Sequence, residues 1–180
     1  MPFSAEMMET APTELTFETL RDFLQTIPFN AHVGLRLAQL HADGVTVECG
    51  LRPELLNAAG VLHGGVTATL VDVAVGMALT KHLGRPRAAT TVEMKLNYLR
   101  PVAGGKVSAR SYLLKVGSTL CSSRVDVFDG DENLVAAALV TYMLFGENGA
   151  RRADSMPAAL GDGRNGRERP PQDPGSPGAS

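Results

Sequence analysis

Asp72 is the only charged residue between Gly64 and Thr80, in a run that is otherwise apolar or small. A carboxylate on a buried helix with no Lys or Arg within a turn is costly unless it has a partner or a use. The same segment opens with His63-Gly64-Gly65. Two glycines at a helix start leave the backbone N–H groups unshielded, and a helix N-terminus carries partial positive charge. That is a place to receive a developing oxyanion. Asn57 adds a neutral donor in the preceding loop. A carboxylate base and an oxyanion donor are two parts of an attack on a carbonyl. The structural alternative for Asp72 is a buried carboxylate bonded to a hydroxyl, either Thr69 or a strand threonine.

Gly64 and Asp72 are eight residues apart, which on one helix is roughly 12 Å along the axis. Both groups should lie about 3 Å from one reacting centre. One helix cannot readily supply both to the same carbonyl. Two copies, antiparallel across a two-fold axis, would bring Gly64 of one chain near Asp72 of the other and give two equivalent sites.

The elements that must hold these residues are legible in the periodicities. Residues 13–27 read as a short amphipathic helix, with Phe17, Leu20, Leu24 and Ile27 at helical spacing, Thr13 as cap and Pro28 as stop. Strands are expected at 35–40 and 44–51 around Ala42-Asp43-Gly44, and a loop follows from Arg52 to Leu62. One long helix is expected from Gly64 to Leu83, with Val66, Leu70, Val73 and Met77 as its core stripe. Residues 89–100 alternate, with Val92, Met94, Leu96 and Tyr98 on one face. Thr91, Glu93, Lys95 and Asn97 fall on the other, facing away from the chain's own helix. Strands at 106–116 and 119–129 flank a Val116-Gly117-Ser118 hairpin turn, and an apolar strand covers 134–145. The expected class is α+β, one long buried helix wrapped by an antiparallel sheet of about six strands.

Residues 1–12 read as a flexible leader, 13–146 as the folded domain, and 147–180 as a Gly/Pro/Arg-rich tail expected to be disordered. The net charge of −2 and the lack of a basic cluster speak against nucleic acid and against a membrane patch. Met1 to Glu14 has no basic segment followed by an apolar one, so a secretory signal is not expected. Asp72 and its neighbouring glycines and threonines argue against a membrane span, and the protein reads as cytoplasmic. Cys49 and Cys121 read as reduced, buried hydrophobes. His32, His41, His63 and His82 show no ligand spacing, so no metal site is expected. A Gly-x-Ser-x-Gly elbow, a Gly-x-Gly-x-x-Gly turn and a P-loop are all missing.

The string Asn57…Gly60…His63-Gly64-Gly65…Asp72 resembles the hot-dog thioesterases of the phenylacetate-pathway type. These are related to 4-hydroxybenzoyl-CoA thioesterases and to the small mammalian acyl-CoA thioesterases. Thr91-Val92-Glu93-Met94, Asn97-Tyr98, Arg100-Pro101 and Lys115-Val116-Gly117 extend the resemblance, which covers about residues 30–145. It implies a hot-dog fold and hydrolysis of an acyl-CoA to a carboxylic acid and CoA, without a cofactor. Asp72 would then be nucleophile or general base, and the Gly64 N–H would polarise the carbonyl. Asn57 would orient the carbonyl or the water, and Thr91 the water or Asp72. Thr91's place on the strand's polar face fits a contact across a dimer. His63 is either a catalytic acid or a hydrogen-bonding anchor of the helix start. Gly65, Glu93 and Tyr98 would border the substrate, although Tyr98 suits the core equally well. Lys115, Gly117 and Ser118 would meet a CoA phosphate or the pantetheine arm, or else form an ordinary charged hairpin. The resemblance also implies a homodimer or a dimer of dimers with shared active sites. Two alternatives are a hot-dog hydratase or dehydratase, which pairs a carboxylate with a catalytic histidine, and a non-catalytic acyl-CoA sensor. Enoyl-CoA hydration would mark the first, and binding without turnover the second.

Overall fold

The computed structural model describes residues 15–146. The expected leader, the expected tail and the proposed Thr13 cap lie outside the described residues. Helix α1 (Phe17–Thr26) begins at Thr16, whose hydroxyl accepts the Thr19 N–H at 3.3 Å, and it buries Leu20 and Leu24. It does not run to Ile27 as expected. Ile27 is extended, because the residue before a proline is pushed out of the helical region. Pro28 is the stop expected, and it does more. It opens a second helix, α2 (Pro28–Val33), from the first turn, where its missing N–H has no cost. Gly34, at φ 80°, closes α2 in the left-handed conformation.

Strands β1 (Leu35–His41) and β2 (Gly44–Gly50) form the first hairpin. Its turn requires Gly44, because a Cβ there would lie 1.9 Å from the Ser111 carbonyl oxygen. A single 3-10 turn, Pro53–Leu55, interrupts the following loop. After this loop comes α3 (Gly64–Leu83), with the bounds expected. Then follow β3 (Ala89–Tyr98), β4 (Lys106–Val116), β5 (Leu120–Asp129) and β6 (Leu134–Leu144). All strand pairs are antiparallel, and the sheet order is β1-β2-β4-β5-β6-β3. The architecture is therefore the expected α+β one, with α3 lying mainly over β2 and β4 and also touching β3, β5 and β6.

Helix α3 buries Leu70, Val71, Ala74, Val75, Met77 and Ala78 against the sheet. The expected stripe is thus rotated. Val66 and Val73 are only half-buried at the margin of the core. Because the helix is apolar nearly all round, periodicity alone does not fix which side faces the sheet. Its other side, with Thr69, Asp72, Val73 and Gly76, lines a cavity. By length and composition α3 alone among the described helices would also cross a membrane, but here it is the core helix of the sheet.

Strand β3 departs from simple alternation. A bulge lies between Thr91 and Glu93, opposite Tyr142 and Thr141 of β6. The extra residue, Val92, is 51% exposed. One inserted residue shifts the parity of everything before it. Thr91 consequently turns to the same face as Met94 and Leu96, toward its own helix. Cys49 and Cys121 are buried and unpaired, and desolvation raises both thiols above their ordinary range.

Candidate active site

The loop after β2 sets the start of α3. Asn57 Oδ1 accepts the N–H groups of Ala59 at 2.9 Å and Val61 at 3.4 Å, which holds the turn closed. Its Nδ2 donates to nothing among the described residues. The His63 N–H donates to Leu55 O and the Leu62 N–H to Val102 O, both at 2.8 Å. His63 is the N-cap of α3, and its Nδ1 accepts the Gly65 N–H at 2.9 Å. The first N–H groups of a helix have no acceptor within it. With Gly65 capped by His63, the Gly64 N–H is the donor left without an acceptor among the described residues. The Tyr98 hydroxyl donates to Gly64 O at 2.9 Å and stands over the same turn. Asn57, Gly64, Gly65, Tyr98 and Arg100 border one cavity of about 510 Å³.

Asp72 is two turns further along, in a different cavity of about 350 Å³. Its Oδ1 accepts two hydrogen bonds, from Thr91 Oγ1 at 2.6 Å and from Tyr142 Oη at 2.8 Å. The Tyr142 hydroxyl also lies 2.9 Å from the Asp72 carbonyl oxygen. Burial, and then the Asp72 carboxylate, push the Tyr142 phenol well above its usual range. It stays protonated and acts as a donor at every working pH. The clamp thus fixes the carboxylate through Oδ1, leaves Oδ2 without a donor among the described residues, and holds the side chain at the border of the cavity.

One expectation is corrected here and one alternative is decided: of Thr69 and a strand threonine, the strand threonine bonds Asp72. Thr91 reaches Asp72 of its own chain, not of a partner, because the Val92 bulge turned it inward. Thr69, the other hydroxyl considered for Asp72, donates instead to Gly65 O at 2.9 Å. Tyr142 was missed. Its signal was available: strand 134–144 is almost wholly apolar, and a buried phenol needs an acceptor. Asp72 was the one acidic group on the neighbouring helix. Tyr142 stands over Gly76, where a Cβ would make an ordinary contact, 3.6 Å, with the phenol oxygen.

The remaining candidates are dispersed. Glu93 is exposed beside the bulge and borders neither cavity. Lys115 and Ser118 are exposed on the β4–β5 hairpin, away from both cavities. Gly117 donates its N–H to Leu120 O at 2.8 Å, so this turn amide is not free for a phosphate. Ser118 O accepts from the Arg87 guanidinium at 3.1 Å. No group of three or more His, Cys, Asp and Glu with metal-site geometry occurs among the described residues.

Removing one donor from the clamp tests its weight. Tyr142→Phe is expected to lower kcat about tenfold and stability by about 1 kcal/mol, since the one phenol proton shared between Asp72 Oδ1 and Asp72 O is lost in a buried setting. Thr91→Val should behave alike and Thr91→Ser should retain most of the rate. Steady-state kinetics with thermal unfolding checks both. Equal loss in Thr91→Ser and Thr91→Val would remove the hydroxyl from the account.

The Thioesterase superfamily model matches residues 59–136, from the loop before α3 into β6. The medium/long-chain acyl-CoA thioesterase YigI of Salmonella typhimurium is 31% identical over 137 residues, covering 68% of this chain and 88% of the relative. Zebra fish thioesterase superfamily member 2 is similar in structure with a TM-score of 0.66 and 26% identity, covering 73% of this chain and all of its own. A mutant of the phenylacetic acid degradation protein PaaI from Thermus thermophilus gives a TM-score of 0.59 and 26% identity, covering 66% of this chain and 99% of its own. The chain belongs to the thioesterase superfamily and is a hot-dog thioester hydrolase.

Proposed function

We propose that this enzyme hydrolyses acyl-CoA thioesters to a carboxylic acid and free CoA, in the cytoplasm, at sites shared between two copies of the chain. The observation that carries the reading is the Asp72 clamp. A carboxylate at the border of a cavity, with Oδ1 saturated by Thr91 and Tyr142 and Oδ2 without a donor among the described residues, is arranged to act on water or substrate. The relative's name, with its medium/long-chain acyl-CoA, supports the CoA ester as substrate class.

Asp72 Oδ2 takes a proton as a water oxygen attacks the thioester carbon. The carbonyl oxygen gathers charge opposite the Gly64 N–H of a second copy, with the Asn57 amide beside it. The C–S bond then breaks, and the proton held on Asp72 passes to the departing sulfur. In the nucleophilic variant Oδ2 attacks the carbon itself, the C–S bond breaks to release CoA thiolate, and water opens the resulting anhydride to the carboxylic acid and free Asp72. Labelled oxygen from water entering Asp72 in a single turnover separates the two routes. Sharing between copies is supported by the separation of Gly64 and Asp72 into different cavities of one chain. The exposed Lys115 and Ser118 remain available to CoA phosphates, and Gly65 and Tyr98 to the pantetheine arm.

The test is release of free thiol from a panel of acyl-CoAs, aliphatic and aromatic, by the purified protein. Turnover of at least one class is expected. Binding without turnover across the panel, or hydration of an enoyl-CoA instead, would refute the proposal.

A further inference from the structure

The cavity that holds Asp72 continues past it along α3. Gly76 and Thr80 follow Asp72 at four-residue steps, so the three stand one above the other on one face of the helix, with Leu83 close to the same line. Gly76 has no side chain. Thr80 ties its hydroxyl to Gly76 O at 2.9 Å, which leaves its methyl group to the cavity. The opposite wall is apolar and comes from the N-terminal helices, with Phe23, Ile27 and Phe29. A trough therefore begins at the carboxylate, with a floor of small residues and a greasy flank. It ends at Leu83 and Arg87, and the Arg87 guanidinium is anchored on Phe145 O at 2.9 Å and Ser118 O at 3.1 Å.

We infer that this trough is the acyl-chain channel, and that Gly76 and Leu83 set the length of alkyl chain it admits. The inference rests on the acyl-CoA reading above and adds where the acyl group lies and which residues measure it. An apolar trough that starts at the catalytic carboxylate and ends at an anchored cation suits an unbranched hydrocarbon, with no charged group along its length until Arg87. Asp72 and Leu83 are eleven residues apart, so about 17 Å along the axis. With carbon–carbon bonds of about 1.5 Å, an extended alkyl chain advances roughly 1.3 Å per carbon, which allows about a dozen carbons. Gly76 is four residues, about 6 Å, past Asp72, so a side chain there projects beside Tyr142 into the path of the chain about four to five carbons along.

The test is a ladder of straight-chain acyl-CoAs, from acetyl to palmitoyl, with wild type, Gly76→Leu and Leu83→Trp. Glycine is a poor helix former, so the first substitution favours the helix, and because its side chain meets the Tyr142 hydroxyl the melting temperature and the butyryl-CoA rate of the variant serve as controls for the clamp. In Gly76→Leu the ratio of kcat/KM for dodecanoyl-CoA to that for butyryl-CoA is expected to fall at least tenfold. In Leu83→Trp the ratio of dodecanoyl to hexanoyl should fall by a similar factor, with the hexanoyl-to-butyryl ratio unchanged. Chain-length profiles that keep the wild-type shape in both variants would overturn the channel. A wild type that hydrolyses none of the ladder would instead overturn the acyl-CoA reading on which it rests.

Discussion

Asp72→Asn is expected to lower kcat about a thousandfold, within the range that a positioned acid–base group contributes. The fold should not suffer. Asparagine keeps an oxygen in the Oδ1 position, so Thr91 and Tyr142 keep their acceptor. What changes is Oδ2, which becomes an amide nitrogen that can neither take a proton nor attack a carbonyl. Neutralising a half-buried charge that has no cation partner should leave the melting temperature unchanged or raise it. A loss of rate with intact stability separates a catalytic carboxylate from a structural one. The opposite pattern, full activity with a lowered melting temperature, would return Asp72 to the role of a buried hydrogen-bond acceptor.

Gly64→Pro is the second large effect, about a hundredfold in kcat, as for deletion of one oxyanion donor. Proline removes the Gly64 N–H and nothing else from the backbone network. The position tolerates it for two reasons. Gly64 is the first residue of α3, where proline is favoured. His63 before it already sits at φ −64°, ψ 131°, the extended region that a following proline demands. The new ring crowds Tyr98, whose ring atoms would be 3.2 Å from a Cβ, but that side chain is 57% exposed and can move aside. Circular dichroism and thermal unfolding should match wild type. Undiminished turnover in a folded Gly64→Pro enzyme would place the oxyanion elsewhere.

The sequence reading and the structure agree most closely at α3. Its start was marked by His63-Gly64-Gly65, and in the structure Gly84 closes it at φ 68°. Both boundaries depend on local chemistry, which a single sequence displays. The rotation of α3 does not, since a helix apolar on all sides carries little information about its buried face. The bulge at Val92 was also silent: no glycine or proline announces it, and it exists because β3 must match β6 on one side and reach Asp72 on the other. Asp72, Gly64 and Asn57 were legible as candidates from type and spacing, and Thr91 from the resemblance to the hot-dog thioesterases. That Thr91 and Tyr142 meet on one oxygen of Asp72 is a tertiary fact, set by the Thr91–Tyr142 register of two strands distant in sequence. Pro28 shows the limit of punctuation rules, because the same residue ends one helix and begins the next.

The most direct test of the shared site is complementation between two inactive variants. Asp72→Asn and Gly64→Pro chains are unfolded together in equal amounts and refolded, or co-expressed with different tags. In a two-fold dimer whose sites each take Asp72 from one chain and Gly64 from the other, every mixed dimer holds one intact site and one doubly altered site. Random pairing then restores about one quarter of wild-type turnover on a good acyl-CoA substrate, far above either variant alone. A mixture that forms mixed dimers yet shows no more activity than the average of its parents would contradict the shared site, and with it the division of labour between Asp72 and Gly64.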